Sequence, residues 1–273
     1  MPELPEVETV VRRLRAVLVG AKLRSTECLD PKLKSRKLTR HQGEVLQVRR
    51  EGKNILVDFS GGNSLKFHLR MTGNLIWEKA RTKTAIGGAI LHPSTEAHLR
   101  CRLNFDRGEL RFIDVRRFGT VELAPSRLVR AELPVDPVED TLTGEVLQRL
   151  IGKSRQAIKV WLLRQDRLVG VGNIYASEIL FDCRVDPRRE AAALSPAELK
   201  ALARSTVKIL NKAIECCGTT FSDFHNPDGE SGKFQSFLKV YQHDQQPCRR
   251  CKSPIKRLVQ AQRSTFYCAK CQQ

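Results

Sequence analysis

The sequence predicts an α+β protein in which an N-terminal antiparallel β-sandwich or flattened barrel with a packed helix precedes a helical domain that ends in a small metal-held β-hairpin. Three observations predict it. An apolar stripe at helical spacing runs from Val7 to Leu18; short alternating runs separated by turn residues fill 45 to 123; helix-start signals and then four paired cysteines follow residue 140. These shifts divide the chain at 1–124, 125–140, 141–235 and 236–273.

In the first element Val7, Val10, Val11, Leu14, Val17 and Leu18 share one face, and Gly20 offers a stop. Pro5 is tolerated in a first turn, where its missing N–H is not needed. Glu3 and Glu6 lie three apart on one face and suit the positive end of the helix dipole. Capping is the simpler local reading of these residues. A second reading is chemical: if Met1 is removed, Pro2 becomes a terminal secondary amine able to attack an electrophilic carbon and form an iminium.

Beyond the helix, Ile55 to Phe59 and Ser64 to Leu69 flank Gly61-Gly62-Asn63, a hairpin signal. Leu99, Cys101, Leu103 and Phe105 alternate with polar residues up to a turn at Asp106-Arg107-Gly108, and Leu110 and Phe112 continue the alternation. An antiparallel sandwich or flattened barrel accommodates these strands. Pro125, Pro134 and Pro137 mark 125–140 as a connection.

Asn173, after Gly170-Val171-Gly172, occupies a natural N-cap position before an apolar run; its amide can cap that helix or help hold a phosphate there. Ser195-Pro196-Ala197-Glu198 is a capping box opening a helix expected to reach Cys217 and stop at Gly218. Residues 218–234 form a polar, glycine-containing loop, a linker or a carrier of binding groups.

Forty-eight Lys+Arg against 30 Asp+Glu leave a net charge of +18, a field that attracts polyanions. Nucleic acid is the first partner to consider and a membrane surface the second. No run is long and apolar enough for a spanning helix, and the N-terminus is charged where a signal peptide is apolar, so a soluble, intracellular protein is expected.

Four of the nine cysteines, Cys248-x2-Cys251-x16-Cys268-x2-Cys271, have the number and spacing of a closed structural zinc site. The alternative, two short disulfides, needs an oxidising compartment. Residues 247–273 contain no acidic residue but include Arg249, Arg250, Lys256, Arg257 and Arg263, which suits phosphate binding. The remaining cysteines, Cys28, Cys101, Cys183, Cys216 and Cys217, read as small buried hydrophobes. Two further stretches, His68-Leu69-Arg70-Met71-Thr72-Gly73 and Asp114-Val115-Arg116-Arg117-Phe118-Gly119, each follow a strand. They suit base-edge bonding with Met71 and Phe118 as wedges into a base stack; by pattern alone, core positions fit these two apolar residues better.

Together these stretches, with Gly52-Lys53, Val169 to Glu178 and Gln262 to Cys268, make the whole chain resemble the formamidopyrimidine-DNA glycosylases, bacterial enzymes that excise oxidised purines. The resemblance implies a β-sandwich with a helix, a hinge at 125–140, a helix-two-turn-helix domain at 141–235 and a zinc-finger hairpin at 236–273. It implies a glycosylase and abasic-site lyase acting through a Schiff base on Pro2, with Glu3 as the acid that opens the sugar. Lys53 would assist β-elimination and Arg263 δ-elimination. Met71, Arg116 and Phe118 would fill the gap left by the extruded base. His68, His98, Arg117, Lys153 and Asn173 would hold phosphates, the loop at 218–234 would close over the base, and Cys248, Cys251, Cys268 and Cys271 would bind one structural zinc.

The implied partner is duplex DNA containing a damaged base, bound by a monomer in the bacterial cytoplasm at the nucleoid. An endonuclease VIII-like enzyme for oxidised pyrimidines is the nearest alternative; Leu4 after Glu3, with Arg116 and Phe118, favours the purine enzyme. A non-catalytic zinc-dependent DNA-binding protein is the other. The chain departs from the family pattern where glycine is usual, with Cys217 before Gly218, Gln242 after Tyr241 and Lys252 after Cys251. It also has Leu133-Pro134-Val135-Asp136-Pro137 in the hinge and Ser154 where a phosphate-binding lysine can occur.

Overall fold

The computed structural model describes residues 2–79, 96–126, 134–219 and 232–273. The chain forms two compact units, one of residues 1–2, 6–131 and 217–233, the other of residues 3–5, 132–216 and 234–273.

The first unit holds most of α1 (Leu4–Leu18), β1 (Lys22–Cys28), α2 (Arg36–Arg40), β2 (Gly43–Glu51), β3 (Asn54–Phe59) and β4 (Asn63–His68). It continues with β5 (Gly73–Lys79), β6 (Leu99–Phe105), β7 (Gly108–Asp114) and β8 (Thr120–Pro125). The strands run in the order β5-β7-β6-β1-β2-β3-β4-β8, each pair antiparallel. β1 meets β2 only at Lys22↔Glu44 and Leu23↔Gly43, so the sheet bends there into two four-stranded halves.

Both halves and α1 share one core: Val7, Val10, Val11 and Leu14 pack with Leu103 and Phe112 from one half and Val48, Ile55 and Phe67 from the other. That is the sandwich with its helix. Alternation in β6 is complete, with Leu99, Cys101, Leu103 and Phe105 buried and the intervening residues half-buried. Leu14 has no exposed surface, and truncating such a residue to alanine costs about 2–5 kcal/mol.

The second unit holds α3 (Gly144–Ile151), α4 (Ile158–Leu162), α5 (Asn173–Asp182), α6 (Pro196–Glu215), β9 (Lys256–Gln260) and β10 (Arg263–Tyr267). Every residue of α5 from Ile174 to Phe181 is buried, which makes it the central helix, packed among Trp161, Leu202 and Leu210. The capping box at Ser195 and Glu198 is present in both directions. α6 ends at Glu215, two residues short of the expected Cys217, because Cys217 itself turns into the left-handed region at φ +57° and breaks the helical path.

A smaller core of Phe181, Val240, Ile255 and Phe266 backs the C-terminal cysteines. Of the five other cysteines Cys101 is buried as expected, but Cys28, Cys183, Cys216 and Cys217 are only half-buried. Among the described residues no helix is long and apolar enough to cross a membrane.

Candidate active site and nucleic-acid interface

The two residues that lead into α1 are buried, and Glu3 is only 3% exposed. Glu3 and Leu4 belong to the second unit and are held within it. Leu4 N donates to Gly170 O at 3.0 Å, and the Glu3 carboxylate accepts from Ile174 N at 2.9 Å and Tyr175 N at 3.4 Å. These are the free donors at the start of α5, where the helix dipole favours an anion.

Glu3, rather than Asn173, therefore caps α5. Gly172 is the N-cap residue and Asn173 the first helical residue. A glycine is required at 172, since a Cβ there would lie 2.3 Å from Glu3 Cδ. Of the two readings of the Asn173 amide, capping of the helix is corrected, because Glu3 already occupies the donors.

Asn173 turns instead toward the hairpin: its Oδ1 accepts from Lys159 Nζ at 2.6 Å and its Nδ2 donates to Ser264 O at 3.0 Å. Lys159, in α4, has no exposed surface, and its ammonium also donates to Thr265 Oγ1 at 2.8 Å and Ser264 O at 3.1 Å. Burial, reinforced by the Arg263 charge and opposed by Glu3, lowers its pKa to about 8. Sequence reasoning missed Lys159. The available signal was a lysine inside the apolar run Ile158 to Leu162.

The ammonium thus ties α4, the start of α5 and β10 together beside Arg263, the first residue of β10. Asn173, Tyr241, Arg257, Arg263, Ser264 and Phe266 line an open cleft of about 330 Å³ there. Tyr241 is positioned by Glu178, whose buried carboxylate accepts from the main-chain N–H groups of Lys239, Val240 and Tyr241; burial pushes its pKa up.

Glu6 belongs to the first unit, where Oε1 accepts from Thr219 N at 2.7 Å and Thr219 Oγ1 at 3.0 Å. Glu3 and Glu6, expected as a pair, take up separate sets of donors. Lys53 sits at the two-residue tip joining β2 to β3, where Gly52 adopts φ +57°, and is largely buried. His68 ends β4 opposite Asn54. Burial and the nearby charges of Arg70 and Lys53 hold its pKa at about 4, so at neutral pH it is uncharged. Its Nδ1 accepts from Arg70 N at 3.1 Å, which leaves Nε2–H as a donor.

Asp114 organises the candidate wedges. Its carboxylate accepts from the Thr72 hydroxyl, from Arg116 N at 3.2 Å and from Gly119 N at 2.6 Å. A Cβ at Gly119 would lie 2.5 Å from Phe112 Cζ, so the turn closes tightly over the core. Phe118 and Met71 are left 52% and 43% exposed, which corrects the core reading of both. The Arg116 guanidinium lies 4.9 Å from the Phe118 ring centroid.

Arg117 makes a two-pronged bond to Asp30 at 2.7 and 2.8 Å, which holds the Asp30 pKa at about 2. His98 accepts through its main-chain oxygen from Asp114 N at 2.9 Å, and Lys153 is exposed just beyond the end of α3. Of the loop expected to close over a base, residues 220–231 lie outside the described residues.

The ligand sulfurs of Cys248, Cys251, Cys268 and Cys271 all lie within 4.8 Å of one another, with Cys251–Cys268 at 3.4 Å and Cys248–Cys271 at 3.9 Å. A tetrahedron of about 2.3 Å zinc–sulfur bonds has edges of roughly 3.8 Å, so the donor set and its size fit one zinc ion. Arg250 N points at Cys248 Sγ at 3.4 Å, as suits a thiolate. Four protein ligands leave no open position, so the centre is structural.

Residues 1–121 match the formamidopyrimidine-DNA glycosylase N-terminal domain, residues 133–225 the H2TH domain of the same enzymes, and residues 245–273 the zinc finger found in FPG and IleRS. The formamidopyrimidine-DNA glycosylase of Pelotomaculum thermopropionicum is 38% identical over 284 residues, covering 100% of this chain and 99% of that protein. The crystal structure of the MutM (FPG) protein from Thermus thermophilus superposes with a TM-score of 0.86 at 35% identity, covering 99% of this chain and 98% of that one. A Lactococcus lactis FPG variant in complex with Fapy-dG-containing DNA superposes with a TM-score of 0.84 at 30% identity and full coverage of both chains.

Proposed function

Because this chain belongs to the formamidopyrimidine-DNA glycosylase family, and is a DNA glycosylase for oxidised purines with abasic-site lyase activity, we propose that Pro2 is its nucleophile and Glu3 its acid. One observation carries the proposal: Glu3, covalently next to Pro2, is fixed by two main-chain N–H groups at the start of α5. A carboxylate so oriented can take up a proton from the neighbouring amine and hand it on at one fixed place.

With Met1 removed, the neutral Pro2 nitrogen bonds to C1′ of the damaged nucleotide as the C1′–N bond breaks; the base leaves with that electron pair and takes a proton from solvent, while the proton on the attacking nitrogen passes to the Glu3 carboxylate. The C1′–O4′ bond then breaks, Glu3 hands that proton to O4′, and the nitrogen lone pair closes the iminium. A C2′ proton is then lost to solvent, the C2′=C3′ bond forms and the C3′–O bond breaks to expel the 3′ phosphate, with Lys53 contacting that phosphate and assisting the step. Loss of the C4′ proton drives a second elimination that breaks the C5′–O bond and expels the 5′ phosphate, with Arg263 as its phosphate ligand, and water hydrolyses the remaining iminium to free Pro2.

Reaching C1′ requires the damaged nucleotide to leave the stack, which costs about a few kcal/mol. The exposed Phe118 and Met71 would fill the vacated space, with Arg116 bonding the orphaned cytosine. His68, His98, Arg117, Lys153 and Asn173 would hold the backbone, His68 as a neutral donor and Arg117 in the orientation set by Asp30. The zinc holds the hairpin that presents Arg263 and takes no part in the reaction. We take the working form to be a monomer acting on damaged duplex DNA at the bacterial nucleoid.

The test is Pro2→Gly and Glu3→Gln, with duplex binding and strand cleavage assayed separately. Both variants should bind 8-oxoguanine duplex within threefold of the parent and lose base excision by at least ~100-fold. Undiminished excision in either would remove that residue from the mechanism.

A further inference from the structure

Arg50, near the end of β2, is a charged residue whose side chain has no exposed surface. Its Nε donates to Glu8 Oε2 at 2.9 Å, and its Nη1 donates to the main-chain oxygen of Gly52 at 3.3 Å. Glu8 lies in α1, six residues after Pro2, and its other oxygen accepts from Arg12 Nε at 2.9 Å. One planar guanidinium therefore spans the N-terminal helix and the hairpin tip that carries Lys53.

A two-residue tip containing glycine is the least constrained part of a hairpin, since glycine adopts left- and right-handed backbone with similar ease. Here Gly52 is at φ +57°, and the ladder on either side ends at the Glu51↔Asn54 pair. Asn54 Nδ2 bonds Glu51 O at 3.1 Å across the base of the turn, but the Gly52 carbonyl itself is bonded by Arg50. A lysine in place of Arg50 keeps a charge for Glu8 but lacks the rigid fork that serves both acceptors.

We propose that Arg50 is a positioning residue for Lys53: with Glu8 as its anchor, it sets the Gly52-Lys53 tip in fixed register with the helix that follows Pro2. The proposal rests on the assignment of Lys53 to the elimination step. It differs from a general folding role in one respect, that the effect of changing Arg50 passes through the Lys53 amine.

A double-mutant cycle separates the two, using the full-length zinc-loaded protein and duplex DNA containing a preformed abasic site. The variants are Arg50→Lys, Lys53→Ala and the pair, followed by single-turnover strand cleavage and by the fraction trapped with borohydride. Misplacing a reacting group by about 1 Å can lower a rate ~100-fold, so Arg50→Lys should slow cleavage at least ~10-fold while trapping persists. In the Lys53→Ala background the same change should alter cleavage less than ~2-fold. Glu8→Gln, which weakens the anchor but keeps Arg50, should give the same pattern in smaller degree and serves if Arg50→Lys does not fold.

An equal slowing in both backgrounds, with Lys53→Ala itself slow, overturns the positioning role alone. A Lys53→Ala variant that cleaves at the parent rate overturns the Lys53 assignment and the proposal with it.

Discussion

Replacing Lys159 by methionine keeps an unbranched side chain of similar length and removes the ammonium. Two effects oppose each other. The fall in its pKa from 10.5 to about 8 corresponds to at most roughly 3 kcal/mol of disfavoured charge, which methionine relieves. Against this, Asn173 Oδ1 loses its 2.6 Å donor; an orphaned buried acceptor costs about 1–3 kcal/mol, and the half-buried Asn173 at the edge of the cleft falls at the lower end of that range. Of the other two acceptors, Ser264 O keeps its bond from Asn173, whereas Thr265 Oγ1 keeps only the bond that it donates to Gln260 Oε1. Folding stability at pH 7.5 should therefore change by only about 1 kcal/mol.

Orientation of Asn173 beside Arg263 should suffer more. Affinity for a duplex carrying an uncleavable abasic analogue should fall about tenfold, an effect near 1.4 kcal/mol. The pH dependence gives an independent reading. Because the folded-state value lies below the unfolded one, the unfolded chain binds more protons between pH 8 and 10.5, and the parent gains stability as pH rises through that window. Lys159→Met should lack this gain. Urea melts at pH 7.5 and 9.5 with fluorescence anisotropy for binding provide both readings. Unchanged affinity, or the same pH slope in parent and variant, would refute the reasoning.

Other outcomes follow from the same geometry. Gly172→Ala should remove base excision while sparing the metal site, because the new Cβ would collide with Glu3; excision kinetics and zinc content check it together. Cys217, Gln242 and Lys252 hold φ of +57°, +58° and +65°, so glycine at any of the three should raise stability by about 1 kcal/mol in a chemical melt. His68 has its pKa held near 4, below the usual histidine value; the unfolded chain takes up a proton between pH 6.5 and 4, so stability should fall through that window in the parent and less in His68→Asn. Phe118→Ala should leave the melting temperature within about 2 °C, as an exposed side chain adds little to folding, yet reduce excision from duplex more than from single-stranded DNA.

The elements were legible wherever one period dominated. The stripe from Val7 to Leu18, the alternation of β6 and the box at Ser195 each obey a local rule, and each is present. The cysteine cluster was legible because metal geometry fixes ligand spacing. What could not be read depends on residues far apart in the chain. Asn173 has the chemistry of a cap, but Glu3 arrives from 170 positions away and takes the donors. Met71 and Phe118 have core composition, but Asp114 pins the turns that leave them exposed. Lys159 looked like one cation among 48 because nothing local marks a lysine that three distant acceptors will surround.

The departures at Cys217, Gln242 and Lys252 show the reverse: backbone geometry persists where glycine, which adopts it without strain, is absent.

The central claim is that catalysis is covalent and runs through the nitrogen of Pro2. Borohydride trapping on 8-oxoguanine duplex, followed by peptide mass mapping with the state of Met1 read from intact mass, tests it directly. A reduced deoxyribose adduct on Pro2 at the new N-terminus is the predicted result. An adduct on a lysine, or none from protein whose Met1 has been removed, would contradict it.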